Sequence, residues 1–342
     1  MIVRARAPLR IGLAGGGSDV SPYCDLHGGY VLNAAIDRHA YAVITPLDED
    51  VVRFHAKDKQ EVFEQPFDTP VELDGHLNLH KAVYRHIINH YNNGRPLALE
   101  LCTFCEAPIG SGLGSSSTLV VAMLRAFVEL LNLPLDDYGV ANLAFQIERM
   151  ECSLQGGRQD QYSAAFGGFN FMEFYAGNRT VVNPLRIKNW IICELESSLV
   201  LHYTGVSRDS AAIIQAQTEV ISAGRQKSLE AMHGIKLEAV SMKEALLRGD
   251  FRKLVESMRA GWENKKRSAD AVSNPHIDAV HEAALSAGAL AGKVSGAGGG
   301  GFMLFFVPPH RRMDVFRALA SFPGQSSGCH FFKYGAQAWK ID

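Results

Sequence analysis

The chain of 342 residues predicts an α+β fold in two domains. Three observations carry this. Strand-like and helix-like stretches mix without a regular βαβ beat, which disfavours a doubly wound sheet. The pattern changes near residue 188, where two strand-like stretches open a second unit that continues in helices. The length also suits two units of ordinary size, 1–188 and 189–342. Hydrophobic residues make up 47% and charged residues 20%, enough apolar sequence for large cores.

The elements follow in order. Residues 2–13 alternate like a strand, as do "YVLNAAID", "AYAVITPL" and "VVRFHAKD". Residues 78–92 read as a helix from the spacing of Leu79, Val83, Ile87 and Ile88. "LALELCTF" is a strand. A serine-capped helix is expected from Ser116 to Leu131, another from Leu135 to Cys152, and then a strand over "GGFNFMEF". In the second unit "WIICELE" and "SLVLHYTG" read as strands. Helices are expected at 208–223, 227–248, 250–261 and 275–287. "FMLFFVPP" is a buried strand, "RRMDVFRALAS" a helix, and "GCHFFKYGAQAWKI" one or two strands.

The net charge of −2 gives no bulk electrostatic case for a nucleic acid or an anionic membrane partner. The basic run Lys265-Lys266-Arg267 reads as a solvated helix face. The early arginines and glycines do not form a secretory signal, and no apolar run is long enough to span a membrane, so a cytoplasmic location is expected. The lone Cys102–Cys105 pair lies in a strand and reads as ordinary buried cysteines.

Three glycine-rich segments carry the chemistry. The first, "APLRIGLAGGGSDVSPY", sets Gly15, Gly16 and Gly17 after a strand, where backbone can come close to a ligand. Ser18 and Asp19 follow. They suit either contacts with sugar hydroxyls or the cap of a turn.

The second is "PIGSGLGSSSTLVVAMLRAF". Gly110, Ser111, Gly112, Leu113 and Gly114 run into Ser115, Ser116, Ser117 and an apolar helix. Free amides of a first helical turn attract anions, and successive loop amides form an anion nest. Phosphate binding is expected, although no lysine follows as it would in a Walker A loop. Ser116 or Ser117 offers a hydroxyl to a magnesium ion.

The third, "GKVSGAGGGGFMLFF", matches GxGxxG at Gly296, Gly298 and Gly301. A helix precedes it and a strand follows, the reverse of a dinucleotide site. It suits wrapping a phosphate.

Acidic groups are needed to hold a metal on a polyphosphate. The helix near 148 offers Glu148 and Glu151, one turn apart, and Asp160 lies on the loop beyond Gly156-Gly157. Asp160 is placed to act on a substrate hydroxyl as a base. Arg10, Arg158, Arg208 and Lys293 are the candidate cations. Arg10 stands out because it interrupts an apolar strand just before a ligand loop.

These segments, in this order, resemble the kinase superfamily named for its galacto-, homoserine, mevalonate and phosphomevalonate members (GHMP). "PIGSGLGSSSTLVVA" is similar to its phosphate loop, "APLRIGLAGGGSD" to its substrate motif and "KVSGAGGGGF" to its C-terminal glycine motif. "IERM" with "GGRQDQYSAAFGGFNF" is similar to the segment that carries its magnesium glutamate and active-site aspartate. Members of the superfamily with Gly-Glu-His in the first motif differ from this chain. GGGSD, GGRQDQ and "HYTGVSRDS" look most like the branch of D-glycero-D-manno-heptose 7-phosphate kinases, with fucokinase domains near it.

The resemblance implies a first domain like ribosomal protein S5 domain 2 and a ferredoxin-like second domain. It implies ATP on residues 110–117 and Mg2+ on Ser116 and Glu148. Asp160 and Arg10 would be catalytic, and Asp19 would read sugar hydroxyls. The substrate implied is a small sugar phosphate, phosphorylated at its anomeric hydroxyl on the way to an activated heptose for surface polysaccharide. Its existing phosphate needs an anion site, for which Arg208, Lys293 and the first glycine loop are candidates; Gly296, Gly298 and Gly299 would line the substrate. The alternatives are a kinase for an unphosphorylated sugar such as L-fucose, or a kinase-like sugar sensor without catalysis.

Overall fold

The computed structural model describes all residues except 109, 207–212, 217 and 220–224. Two sheets and the helices between and around them build it. The first sheet has eight strands: β1 (Ile2–Ala14), β2 (Gly29–Pro46), β3 (Val51–Ala56), β4 (Glu61–Pro66), β5 (Leu99–Cys105), β6 (Phe169–Phe174), β7 (Thr180–Pro184) and β12 (Gln337–Ile341). Their order is β12-β1-β2-β5-β3-β4, with β6 and β7 branching from β2. One long strand makes the branch possible. Residues 29–34 of β2 pair with β6, and residues 40–46 pair with β5. The two stretches read separately as "YVLNAAID" and "AYAVITPL" are thus one strand.

β8 (Leu199–Tyr203), β9 (Ala291–Val294), β10 (Phe302–Phe306) and β11 (Gln325–Gly328) form the second sheet, in the order β11-β8-β10-β9, all antiparallel. Alternation along these strands feeds two cores. Leu199, Leu201, Leu304 and Phe306 face a middle core shared with Leu9, Ile11, Leu32 and Phe171 of the first sheet. Val200, Met303 and Phe305 face an outer core closed by two helices, Pro275–Ser286 and Arg312–Leu319.

The remaining helices are α1 (Tyr23–His27), α2 (Asn78–Tyr91), α3 (Ser115–Leu131), α4 (Asp137–Gln146), α5 (Gln159–Phe166), α6 (Asn189–Ser198), α7 (Gln226–Arg248) and α8 (Phe251–Ser268). α3 is apolar nearly all round and is buried in the core of the first sheet, with α2, α4 and α5 about it. α7 and α8 fill the middle core.

Four sequence readings change. "WIICELE" is helix α6, because Ile191, Leu195 and Ser198 form a buried stripe of helical period; its run of bulky residues suggested a strand. α3 starts at Ser115 with Gly114 as its left-handed N-cap, and no serine side chain caps it. The helix expected to reach Cys152 ends as a π turn over Ile147–Glu151. Asp160 stands in the first turn of α5 instead of on a loop. Most of the helix expected at 208–223 lies outside the described residues. The last strand β12 pairs antiparallel with β1, which returns the C-terminal end of the chain to the first sheet.

Candidate active site

The three glycine segments converge on one cavity of about 480 Å³. Its wall includes Arg10, Gly17, Asp19, Gly110, Gly112, Gly114, Ser116, Glu148, Asp160, Lys265 and Gly296.

Glycine is required where the second and third segments meet. A Cβ on Gly112 would collide with the carbonyl oxygen of Ser295, and one on Gly296 would lie 2.8 Å from the Gly112 Cα. The amide of Phe302 donates to the Ser111 carbonyl at 2.8 Å. The third segment is therefore the brace of the phosphate loop. Gly296 reaches the cavity. Gly298 and Gly299 are buried against Val272, whose carbonyl accepts from the Gly299 amide, and do not line the cavity as expected. Ser111 and Leu113 likewise face inward: the Ser111 hydroxyl meets that of Ser115, and Leu113 packs in the middle core.

Arg10 stands at an irregularity in the β1–β2 pairing, between Pro8 and Arg10. Such bulges re-aim side chains. Its guanidinium is almost fully buried and binds Asp160 Oδ1 through Nε at 2.8 Å and Nη2 at 2.6 Å. Nη1 donates to the Gly112 carbonyl at 2.6 Å. One arginine thus ties the carboxylate of α5 to the phosphate loop. Asp160 Oδ1 is taken. Oδ2 lies over Gly114, 3.2 Å from where a Cβ would stand.

Glu148 is fully buried, and the π turn that carries it is a feature often found at functional sites. Ser117 Oγ donates to Glu148 Oε1 at 3.0 Å, and Gln161 Nε2 donates to Oε2 at 2.5 Å. Burial pushes the Glu148 carboxyl upward, against the attraction of Arg149. The hydroxyl that meets this carboxylate belongs to Ser117; Ser116 lines the same cavity. Glu151 turns away to Arg85 and His86.

These donors are hard oxygens, which suits Mg2+. Gln161 Oε1, beside Glu148, is buried with no hydrogen-bond partner. Among the described residues no cluster of three or more His, Cys, Asp or Glu side chains could hold a metal alone.

Other expected ligands are consumed by the fold. Ser18 is fully buried; the single proton of its hydroxyl is shared between the carbonyls of Gly15, at 2.7 Å, and Tyr30, at 2.9 Å, and its oxygen accepts from the Tyr30 amide. Asp19 accepts from four donors, the amides of Gly17, Arg158 and Gln159 and the Gln159 side chain, at 3.0–3.1 Å. It clamps the first loop to the start of α5, and its oxygens are fully used. Gly15 packs on the Tyr30 carbonyl, and Gly16 lies beside Gln159 and Lys265. Lys293 donates to the carbonyls of Gly12 and Leu13, outside the main cavity. Arg158 points to Asp25 and Tyr175. Arg208 lies outside the described residues.

Lys265, expected on a solvated face, is not solvated. It is buried on the cavity wall, and its ammonium donates to Gly296 O at 2.5 Å and Gly16 O at 3.5 Å. A signal was present: Leu254, Met258, Trp262 and Lys265 fall on one helical stripe.

Comparison with known proteins adds the following. Residues 78–168 match the GHMP kinases N terminal domain, and residues 242–324 the GHMP kinases C terminal domain. The D-glycero-alpha-D-manno-heptose 7-phosphate kinase of Campylobacter jejuni is 44% identical over 339 residues, 99% of each chain. The L-fucokinase/L-fucose-1-P guanylyltransferase of Bacteroides fragilis is 26% identical over 88% of this chain but only 34% of its own length. The crystal structure of a D-glycero-D-manno-heptose 1-phosphate kinase from Bacteroides thetaiotaomicron superposes with a TM-score of 0.85. It is 44% identical and covers 99% of both chains.

Proposed function

The chain belongs to the GHMP kinase family, and from that premise we propose that it transfers the γ-phosphoryl group of ATP to the anomeric hydroxyl of D-glycero-D-manno-heptose 7-phosphate. The product is the 1,7-bisphosphate, which feeds an activated heptose for surface polysaccharide. The observation that carries this reading is the Arg10–Asp160 pair, which leaves Asp160 Oδ2 over Gly114 of the phosphate loop. An attacking hydroxyl and an ATP terminal phosphate would meet at that point.

The loop amides from Gly110 to Ser117 and the start of α3 hold the polyphosphate. Glu148, with Ser116 or Ser117, holds Mg2+, which when bound neutralises charge on the phosphates. Asp160 orients the acceptor hydroxyl and takes its proton. Arg10 holds Asp160 in register and adds positive charge where the transfer occurs. The division of labour near residue 188 gives nucleotide and catalytic carboxylates to the first unit; the second braces the loops through residues 295–301. Among the described residues no helix is long and apolar enough to cross a membrane. A cytoplasmic site of action, where ATP is available, completes the reading.

The test is an ADP-release assay over a panel: heptose 7-phosphate, heptose 1-phosphate, the dephosphorylated heptose, L-fucose and mevalonate. The names of the two heptose kinases put phosphate at different positions, so both sugar phosphates are needed. The 7-phosphate is expected to give the highest kcat/KM. A tenfold preference for any other compound overturns the assignment.

A further inference from the structure

Two cations on the cavity wall, Lys265 and Arg149, have no role in the catalytic reading, and Lys265 is the one without an acidic partner among the described residues. It sits in the last turns of α8, 6% exposed, on the wall of the cavity. Among the described residues its ammonium has two carbonyl partners and no ion pair, whereas its neighbour Lys266 pairs with Glu263 at 2.8 Å. Burying a charge without a counter-ion is costly. Arg10 pairs with Asp160, Arg158 with Asp25, and Arg149, also on the cavity wall, faces Glu148 at 3.9 Å; Lys293 holds two carbonyls as Lys265 does but lies outside the main cavity.

The position of Lys265 selects which anion it can meet. Its carbonyl partners belong to the first and third glycine segments. The Gln159 amide and the ammonium both border Gly16: a Cβ there would be 3.6 Å from Gln159 Nε2 and 3.9 Å from Lys265 Nζ. Gln159 in turn holds Asp19. With the sugar on the first glycine segment, as its motif implies, this is the acceptor side of the cavity, while the phosphate loop has its own amides, hydroxyls and Glu148.

We propose that Lys265 binds the phosphate that the sugar substrate already carries, in a subsite bounded by Gly16, Gln159 and Gly296, and so sets the preference for a phosphorylated sugar. The inference rests on the sugar-phosphate reading above. The charged groups that act on Lys265 are Arg10 on β1, Asp19 on the first loop, Asp160 on α5 and Lys293 on β9. Burial, reinforced by Arg10, lowers its pKa to about 8, so the subsite loses its charge on the alkaline side.

The test compares Lys265→Gln and Lys265→Arg with the parent enzyme on heptose 7-phosphate and on the dephosphorylated heptose. In Lys265→Gln, the loss of kcat/KM on the sugar phosphate is expected to exceed that on the free sugar by about 10–100-fold, mainly through KM, as for loss of a charge-assisted contact. Lys265→Arg recovers most of it. Equal losses on both sugars, a raised KM for ATP, or no loss at all overturn the proposal; the first two would place Lys265 on the transferred phosphoryl group. A second measurement does not depend on the substrate's identity. With the phosphate loop filled by a non-hydrolysable ATP analogue and Mg2+, inorganic phosphate should raise the melting temperature of the parent and of Lys265→Arg but not of Lys265→Gln. No shift in the parent, or the same shift in Lys265→Gln, overturns the subsite. If the parent shows no preference for phosphorylated heptose, the functional reading falls, and the phosphate titration still decides the subsite.

Discussion

Two sets of buried polar side chains surround the same cavity and are used in opposite ways. Behind the first glycine loop, Ser18, Asp19 and Lys293 spend their hydrogen bonds on the protein itself. On the cavity floor, Asp160, Glu148 and Lys265 keep capacity open: one carboxylate oxygen over Gly114, a carboxylate pushed up by burial, an ammonium without an ion pair. The contrast between Asp19 and Asp160 is sharpest, because Gln159 and Asp160 are adjacent and each belongs to one set. Residue type and burial do not separate structural from chemical groups; hydrogen-bond capacity separates the carboxylates, and a place on the main cavity wall separates Lys265 from Lys293.

The largest effect should come from the open set. Asp160→Asn keeps an oxygen for Arg10 but loses the basic carboxylate. We expect kcat to fall about 10²–10⁴-fold, the range for a positioned acid–base group. The melting temperature should fall as well, because the buried Arg10 guanidinium loses its counter-charge, so the loss of kcat is read on the folded fraction. Near-normal turnover would remove Asp160 from the chemistry.

The closed set should respond in the reverse order. Asp19→Asn offers one acceptor oxygen where four donors now converge, and turns an amide toward the rest. Each orphaned buried donor costs about 1–3 kcal/mol. The melting temperature should drop on the order of 5 °C, while kcat falls less than in Asp160→Asn. The opposite result breaks the comparison: an unchanged melting temperature with only a raised KM for the sugar would make Asp19 the reader of sugar hydroxyls that its motif implies.

Much of this was legible in the sequence. The three glycine segments, Arg10 and Asp160 were visible because each departs from its local pattern: glycines in series, a charge inside an apolar strand, a carboxylate beside a glycine pair; Glu148, ordinary in its helix, drew notice only beside the glycine segments. What was hidden depends on distant partners. Nothing local reveals that Asp19 would meet the start of α5, or that Gly298 and Gly299 would pack on Val272. Lys265 is a different failure. It lies on the stripe of Leu254, Met258 and Trp262, but the adjoining Lys266 and Arg267 masked it as part of a charge run. Helical period was the better guide. "WIICELE" failed for the same reason, its bulky residues outweighing the spacing of Ile191 and Leu195.

The smallest effect tests the closed set through pH. Burial, helped by repulsion from Lys265 and Arg10, lowers the Lys293 pKa to about 7, far below the ordinary 10.5. Between these values the unfolded chain holds a proton there that the folded chain has lost. Stability linked to this group therefore rises with pH; it is complete above about 10.5 and is lost as pH falls through about 7. In Lys293→Met the linkage disappears. The carbonyls of Gly12 and Leu13 also lose their donor, which shifts the variant by a constant amount. Lys265 titrates in both proteins, but its repulsion with Lys293 is lost in the variant, so the difference reads the pair together. Melting curves taken from pH 7 to 9.5 should show the parent gaining on the variant by a degree or two per pH unit, for a slope approaching about 1 kcal/mol per unit. A flat difference, joined to a raised KM for the sugar phosphate, would mean that Lys293 faces the ligand. It would then move to the open set, and the line between the two sets would have to be redrawn through β9.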